Sequence, residues 1–198
     1  MDLFTSSKML TPIPVRDGEL SFLAQLALGV PNAEVLARLI AEKAWRSELI
    51  TVSGKQHLQP RLTAWHGEAA YSYSGLRLEP LPFTPLQQDI RRAVEAASGR
   101  HFNSVLLNYY RDGRDSMGMH SDNEAELGPE PAIASVSFGA ERTFILQHKG
   151  SGERLRIALT DGSLLLMAGK LQENWTHGIN KITRPVGPRV NLTFRFIA

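Results

Sequence analysis

The spacing of hydrophobic positions changes character near residue 100. Upstream, two stretches repeat at helical intervals. In "PNAEVLARLIAEKAW" the side chains Val35, Leu36, Leu39 and Ile40 share a face, which predicts a helix with Asn32 as its N-cap. In "TPLQQDIRRAVEAASG" Thr84 suits the cap, Pro85 the first helical position and Gly99 the end, while Leu86, Ile90 and Val94 form the apolar stripe. Both stripes predict packing against a sheet. The apolar stretch from Leu20 to Val30 reads as a short buried helix, well below the roughly 20 residues that span a bilayer.

From Phe102 onward the pattern becomes short runs of β-branched, aromatic and leucine residues broken by Gly, Asp and Pro. The runs are "NSVLLNYY", "AIASVSFG", "RTFILQHK", "RLRIALT", "SLLLMAG" and "VNLTFRFI". Their regular spacing predicts an antiparallel sandwich or barrel. Between the two helices, "QPRLTAWHG" and "AYSYSGLRL" predict further strands or a hairpin. No internal repeat or low-complexity tract interrupts this order.

Composition narrows the chemistry. A chain of 198 residues, 42% hydrophobic and 21% charged, suits one globular domain. The absence of cysteine excludes disulfides, thiolate metal sites and a cysteine nucleophile, so any metal must rest on His, Asp or Glu. Asp17 and Glu19 stand where a secretion signal would carry basic residues, and the expectation is a cytoplasmic protein with no membrane segment. Net charge is only +2, yet Arg outnumbers Lys 16 to 6, and Arg is the side chain that grips carboxylates and phosphates through paired hydrogen bonds. Those arginines fit a solvated surface as well as a polyanion-binding face.

His120 and Asp122 form His-x-Asp in "GMHSDNE". On extended backbone, residues two apart point to the same side, so the pair can converge on one metal ion or simply occupy a surface loop. His177 in "NWTHGIN" is the candidate third ligand. In "RVNLTFRF", Arg189, Asn191, Thr193 and Arg195 share one face and Val190, Leu192, Phe194 and Phe196 the other. That polar face fits an exposed edge strand or an anion site, to which Asn108 and Tyr110 of "NYY" would add hydrogen bonds. Two histidines and a carboxylate form the facial triad of non-haem Fe(II) oxygenases.

The run "NYYRDGRDSMGMHSDNEAELGPEPAIASVSFGAERTFILQHK", followed by "GSLLLMAG", "NWTHGI" and "PRVNLTFR", resembles the AlkB family of Fe(II)- and 2-oxoglutarate-dependent nucleic-acid dealkylases. The resemblance covers roughly residues 50–197, with "QPRLTAWHGE" and "YSYSGL" similar to that family's nucleotide-recognition segment. It implies a single α+β domain: a double-stranded β-helix (jelly-roll) core over about 100–198, flanking helices, a nucleotide-recognition lid over about 50–82, and an extension over 1–30. By resemblance, His120, Asp122 and His177 hold Fe(II), with O2 and 2-oxoglutarate as cosubstrates. Arg189 and Arg195 match the arginines that hold the 2-oxoglutarate carboxylates, and Asn108, Tyr110 and Asn191 match supporting hydrogen-bond donors. Tyr73 matches an aromatic that stacks on a flipped base, and Ser74 and Glu124 match polar residues of the substrate pocket.

The implied activity is oxidative demethylation of N-alkylated bases, with release of formaldehyde, succinate and CO2. 1-Methyladenine and 3-methylcytosine are cationic near neutral pH, so an aromatic face beside a carboxylate favours them over plain bases. Asn123 stands where many relatives carry an acidic residue, which leaves the lesion range open. Ser53 in "TVSGKQH" aligns with an aromatic wedge of duplex-repairing relatives, so the expected partner is methylated single-stranded DNA, with RNA and duplex DNA left open, bound by a monomer. Two rival readings are a 2-oxoglutarate-dependent hydroxylase of another substrate and a non-catalytic nucleic-acid-binding module. His57, His66, His101 and His148 read as ordinary surface or core residues, Trp45 and Trp65 as core, and Trp175 as packing around the ligand.

Overall fold

A computed structural model describes residues 9–47, 49–52, 55–68, 71–73, 76–78 and 80–198, with backbone alone at 50–52, 55–57, 71–73 and 76–78. The chain opens with β1 (Thr11–Pro12), β2 (Glu19–Leu23) and α1 (Asn32–Ile40). Two hairpins flank a longer strand: β3 (Leu49–Val52) with β4 (Lys55–Leu58), then β5 (Leu62–Gly67), then β6 (Tyr71–Tyr73) with β7 (Leu76–Leu78). After α2 (Pro85–Ser98) come β8 (Ser104–Tyr110), β9 (Met117–His120), β10 (Ile133–Gly139), β11 (Arg142–His148) and β12 (Arg154–Leu159). The chain closes with β13 (Leu164–Ala168), α3 (Leu171–Asn174), β14 (Trp175–Ile179) and β15 (Arg189–Arg195).

Apart from the β3–β4 and β6–β7 hairpins, which stand as two-stranded sheets of their own, the strands form two antiparallel sheets. The larger runs β1-β2-β13-β10-β15-β8-β5 and the smaller β12-β11-β14-β9. On the larger sheet, Val105, Leu107, Val136, Phe138, Val190, Leu192 and Phe194 form one face and bury the stripes of α1 (Val35, Leu39) and α2 (Leu86, Ile90, Val94). The opposite face supplies Leu106, Ile133, Leu165 and Met167, which meet Phe144, Leu146, Leu159 and Ile179 of the smaller sheet. This is the jelly-roll core with flanking helices that the strand pattern and the resemblance imply.

Local chemistry explains α2 as expected. Thr84 accepts a hydrogen bond from Gln87 N, Gln87 reaches back to the Thr84 amide, Pro85 opens the helix, and Gly99 ends it at φ 66°. For α1 the cap differs: Pro31 precedes the helix without a side-chain cap, and Asn32 is its first residue. The Asn32 amide instead pairs with Gln25 across the preceding turn, which removes it from capping.

Two further expectations are corrected, at Leu20–Leu23 and at β15. Leu20–Leu23 belongs to β2, not to a helix; it pairs antiparallel with β13, and burial at Leu20, Phe22 and Leu23 rather than helical period explains its apolar character. The segment 11–23, read as an extension, therefore contributes two strands to the larger sheet, and β5, read within the lid, pairs with β8 in that sheet. Most telling is β15, which is no edge strand: it lies between β10 and β8 and all seven of its residues are buried. Its apolar side chains take the helix-covered face, so its polar ones point into the roll. Among the described residues, no helix is long and apolar enough to cross a membrane.

Candidate functional site

Interior polar residues need partners, and their arrangement inside the roll defines the site. The three metal candidates and the five cosubstrate candidates named from the sequence all line one cavity that opens to solvent. The two histidines meet because β9 and β14 pair with His120 directly opposite His177. Their rings stand edge to face, 4.6 Å between centroids. Gly178 permits this approach: a Cβ there would sit 2.8 Å from the Met117 carbonyl oxygen of β9.

Asp122 leaves the end of β9 and folds back into the interior, 1% exposed. Its amide donates to Gln172 Oε1 at 2.9 Å, and the neighbouring Ser121 hydroxyl donates to Trp175 O at 2.7 Å. Arg195 Nη2 lies 3.0 Å from Asp122 Oδ2. Burial on its own raises the Asp122 pKa, but the Arg195 charge together with His120 and His177 outweighs it and holds the carboxyl well below the usual range. The carboxylate is therefore ionised at neutral pH.

The two histidines turn ring nitrogens toward this carboxylate and toward each other. His120 Nδ1 lies 2.9 Å from Gly118 O, an acceptor only, so Nδ1 carries a hydrogen and Nε2 is the ring nitrogen left for a metal. That Nε2 faces Asp122 Oδ1 at 3.5 Å, and Oδ1 is buried with no hydrogen-bond partner. Burial, reinforced by the His120 and Arg195 charges, pulls His177 down to about 3, so it is neutral at neutral pH. Its ring stacks on Phe144, with centroids 5.1 Å apart. The candidate ligand atoms of the three residues lie within 4.8 Å of one another. A ring nitrogen and a carboxylate oxygen facing each other across 3.5 Å can share a cation, and a two-histidine, one-carboxylate set with open positions is the donor set of Fe(II). The residues fit the metal.

At the other end of β15's inner face, Arg189 is 1% exposed. Its Nη2 donates to Ser137 Oγ at 2.9 Å and its guanidinium lies over the Tyr110 ring, 5.0 Å from the centroid. Nε and Nη1 are buried without a hydrogen-bond partner. Burial, with the nearby Arg142 charge, lowers its pKa to about 10, so it remains a cation. A desolvated guanidinium with two unfilled donors calls for an anion. Asn191 and Asn108 sit between the two arginines but are engaged internally: Asn191 Nδ2 donates to Ser135 Oγ and Val136 O at 2.8 and 2.9 Å, and Asn108 Oδ1 accepts from Arg61 Nε at 2.7 Å.

The substrate candidates fare unevenly. Glu124 lies two residues beyond Asp122, half-buried, with Oε2 lacking a hydrogen-bond partner. Ser74, Ser53 and the Tyr73 side chain lie outside the described residues, although the Tyr73 backbone belongs to β6. The His57 side chain lies outside the described residues, and the other remaining histidines and the tryptophans behave as expected. His66 is buried against Pro82 O, His148 faces Asp17 at 3.3 Å, Trp65 and Trp175 are core, and Trp45 packs half-buried against it.

Sequence reasoning missed Gln172 and Arg61, both buried. Gln172 Oε1 accepts the Asp122 amide and lies 3.1 Å from His177 Nε2, so one amide group steadies two of the three metal candidates. No periodicity marks it, because α3 is a single turn. Gln172→Leu removes this acceptor at similar volume. The expected result is metal affinity weakened about 10- to 100-fold with the fold retained, read by titrating Mn²⁺ and recording thermal melting. Unchanged affinity would reduce Gln172 to packing.

The comparisons agree with this geometry. Residues 25–195 match the profile described as "2OG-Fe(II) oxygenase superfamily". "Alpha-ketoglutarate-dependent dioxygenase alkB homolog 3" of Mus musculus is 40% identical over 173 residues, covering 82% of this chain and 60% of that protein. "DNA oxidative demethylase ALKBH2" of Mus musculus is 45% identical over 158 residues, covering 75% and 66%. A solved structure described as "The structure of OsALKBH1" matches with TM-score 0.66 over 94% of this chain and 100% of that one; at 15% identity it speaks for the fold alone. The jelly roll, its cluster of two histidines and an aspartate, and the profile match define a 2OG-Fe(II) oxygenase fold and site, and the chain belongs to the AlkB family within that superfamily. It spans about three fifths to two thirds of the length of these two relatives.

Proposed function

We propose that the chain is an Fe(II)- and 2-oxoglutarate-dependent dioxygenase that demethylates N-alkylated bases of the 1-methyladenine and 3-methylcytosine type in nucleic acid. The observation that carries this reading is the inner face of β15. Arg195 meets the metal-site carboxylate at one end, and Arg189 presents two unfilled donors at the other, along the wall of one cavity. A dicarboxylate bound to the metal at its oxo-acid end would bring its far carboxylate to Arg189. Similarity to proteins named dioxygenase and DNA oxidative demethylase supports the same reading.

His120, Asp122 and His177 would hold the iron. When bound, iron with 2-oxoglutarate and O2 supplies the oxidation of the N-methyl carbon, which leaves as formaldehyde as 2-oxoglutarate becomes succinate and CO2. The protein's own part is positioning. Arg195 fixes the Asp122 carboxylate, burial keeps His177 neutral and available as a ligand, and the apolar walls from Phe144, Leu159 and Met167 limit water in the cavity. Glu124, beyond Asp122, offers a carboxylate to a cationic base, with Tyr73 as stacking partner and Ser74 beside it.

Single-stranded nucleic acid is the preferred form of the substrate in this reading. Opening a duplex needs a side chain to fill the gap left by the extruded base, and "TVSGKQH" has no apolar residue at Ser53 or Gly54. Leu58 is exposed, but it pairs with Leu49 at the open end of the β3–β4 hairpin rather than at its turn. The test is kcat/KM for one methylated site presented single-stranded and fully paired. The single strand should react faster, and Ser53→Phe should improve the duplex selectively; equal or faster repair of the duplex by the unaltered protein contradicts the preference.

A further inference from the structure

Arg142 opens β11, whose inward positions continue as Phe144, Leu146 and His148. It is a charged residue in an apolar phase, 2% exposed. Burial at that position lowers its pKa, as expected for a cation removed from water. What receives the guanidinium is main chain. Nη1 donates to Asp112 O at 3.3 Å, and Nη2 donates to Asp115 O at 2.9 Å and Asn180 O at 2.5 Å.

Those three carbonyls belong to two segments that bracket the site. Asp112 and Asp115 lie in the loop from β8, which ends in Tyr110, to β9, which carries His120. Asn180 follows β14, which carries His177. Ile182 N donates to Gly113 O at 2.8 Å, tying the two segments together, and Asp115 closes its loop by accepting from the Arg111 amide at 2.9 Å. The same Arg142 guanidinium lies over the Tyr110 ring at 5.6 Å, and the Arg189 guanidinium lies over that ring at 5.0 Å. Tyr110 is thus a neighbour shared by Arg142 and Arg189.

We propose that Arg142 is a positioning residue for the far carboxylate of 2-oxoglutarate, holding the 112–115 loop, Asn180 and Tyr110 so that Arg189 presents its unfilled donors in one fixed place. The proposal rests on the cosubstrate reading above. Arg142 reaches the metal candidates and Arg189 through these groups rather than by a hydrogen bond of its own, so its effect is indirect. A lysine keeps the charge but not the planar fork that reaches three carbonyls.

The test titrates the Mn²⁺-loaded full chain with 2-oxoglutarate and with 2-oxobutyrate, which keeps the oxo-acid end and lacks the far carboxylate. For Arg142→Met the 2-oxoglutarate dissociation constant should rise about tenfold or more, the worth of one misplaced charge-assisted hydrogen bond, while that for 2-oxobutyrate stays within about twofold. Arg142→Lys should fall between, and it carries the same comparison if the methionine variant does not fold. An unchanged 2-oxoglutarate constant, or equal weakening of both acids, overturns the positioning role. Failure of the unaltered protein to bind 2-oxoglutarate overturns the cosubstrate reading instead.

Discussion

His120→Ala stops turnover while the protein stays folded. Formation of formaldehyde should fall by a factor on the order of 10³ or more, at least about 4 kcal/mol in the barrier. Only three side chains in the cluster can ligate the ion, and each contributes one donor atom. His120 is the cleanest of the three to remove, because its side chain is 22% exposed and sits on the edge strand β9. His177→Ala should be equally inactive, but it also opens a hole against Phe144. Asp122→Ala should be inactive and less stable as well, since it withdraws the carboxylate that faces buried Arg195. Mn²⁺ titration beside a melting curve separates these effects. Wild-type turnover in any of the three variants would remove the metal assignment.

Arg189→Ala raises the 2-oxoglutarate requirement far more than the nucleic-acid requirement. A charge-assisted bond lost from a desolvated site costs about 2 to 5 kcal/mol, roughly 30-fold to several thousand-fold in affinity. The direction follows from the structure: Arg189 keeps one bond to Ser137 and offers two donors that no protein group fills. Arg189→Lys should recover only part of the loss, because a single ammonium cannot reproduce a fork. KM for 2-oxoglutarate and for a methylated oligonucleotide, measured side by side, checks it. An equal rise in both would mean that Arg189 supports the fold rather than the cosubstrate.

Much of this site is legible in the sequence because it is built on strands. Alternation in "RVNLTFRF" separates the polar face of β15 from its apolar one, and His-x-Asp marks the end of β9. Alternation does not say which face meets solvent. Whether Arg189 and Arg195 are solvated or interior depends on the neighbours of β15, a non-local pairing with β10 and β8 that no local pattern encodes. The same limit hides the strand character of Leu20–Leu23, whose partner β13 lies more than 140 residues away. For α2 the caps are local chemistry, and the helix begins and ends where Thr84, Pro85 and Gly99 predict. Gln172 leaves no pattern to read, whereas Arg142 does: an arginine in phase with Phe144 and Leu146 breaks the apolar side of "RTFILQH".

The central claim, that this cavity couples 2-oxoglutarate to removal of a methyl group from a base, is tested most directly by product stoichiometry. The full chain is supplied with Fe(II), 2-oxoglutarate, O2 and a single-stranded oligonucleotide bearing one 1-methyladenine, and succinate, formaldehyde and restored adenine are quantified together. The expected result is formaldehyde and restored adenine in equal amounts, with succinate formed alongside and none of the three without iron. Succinate released steadily while the methylated base persists and no formaldehyde appears would contradict the account.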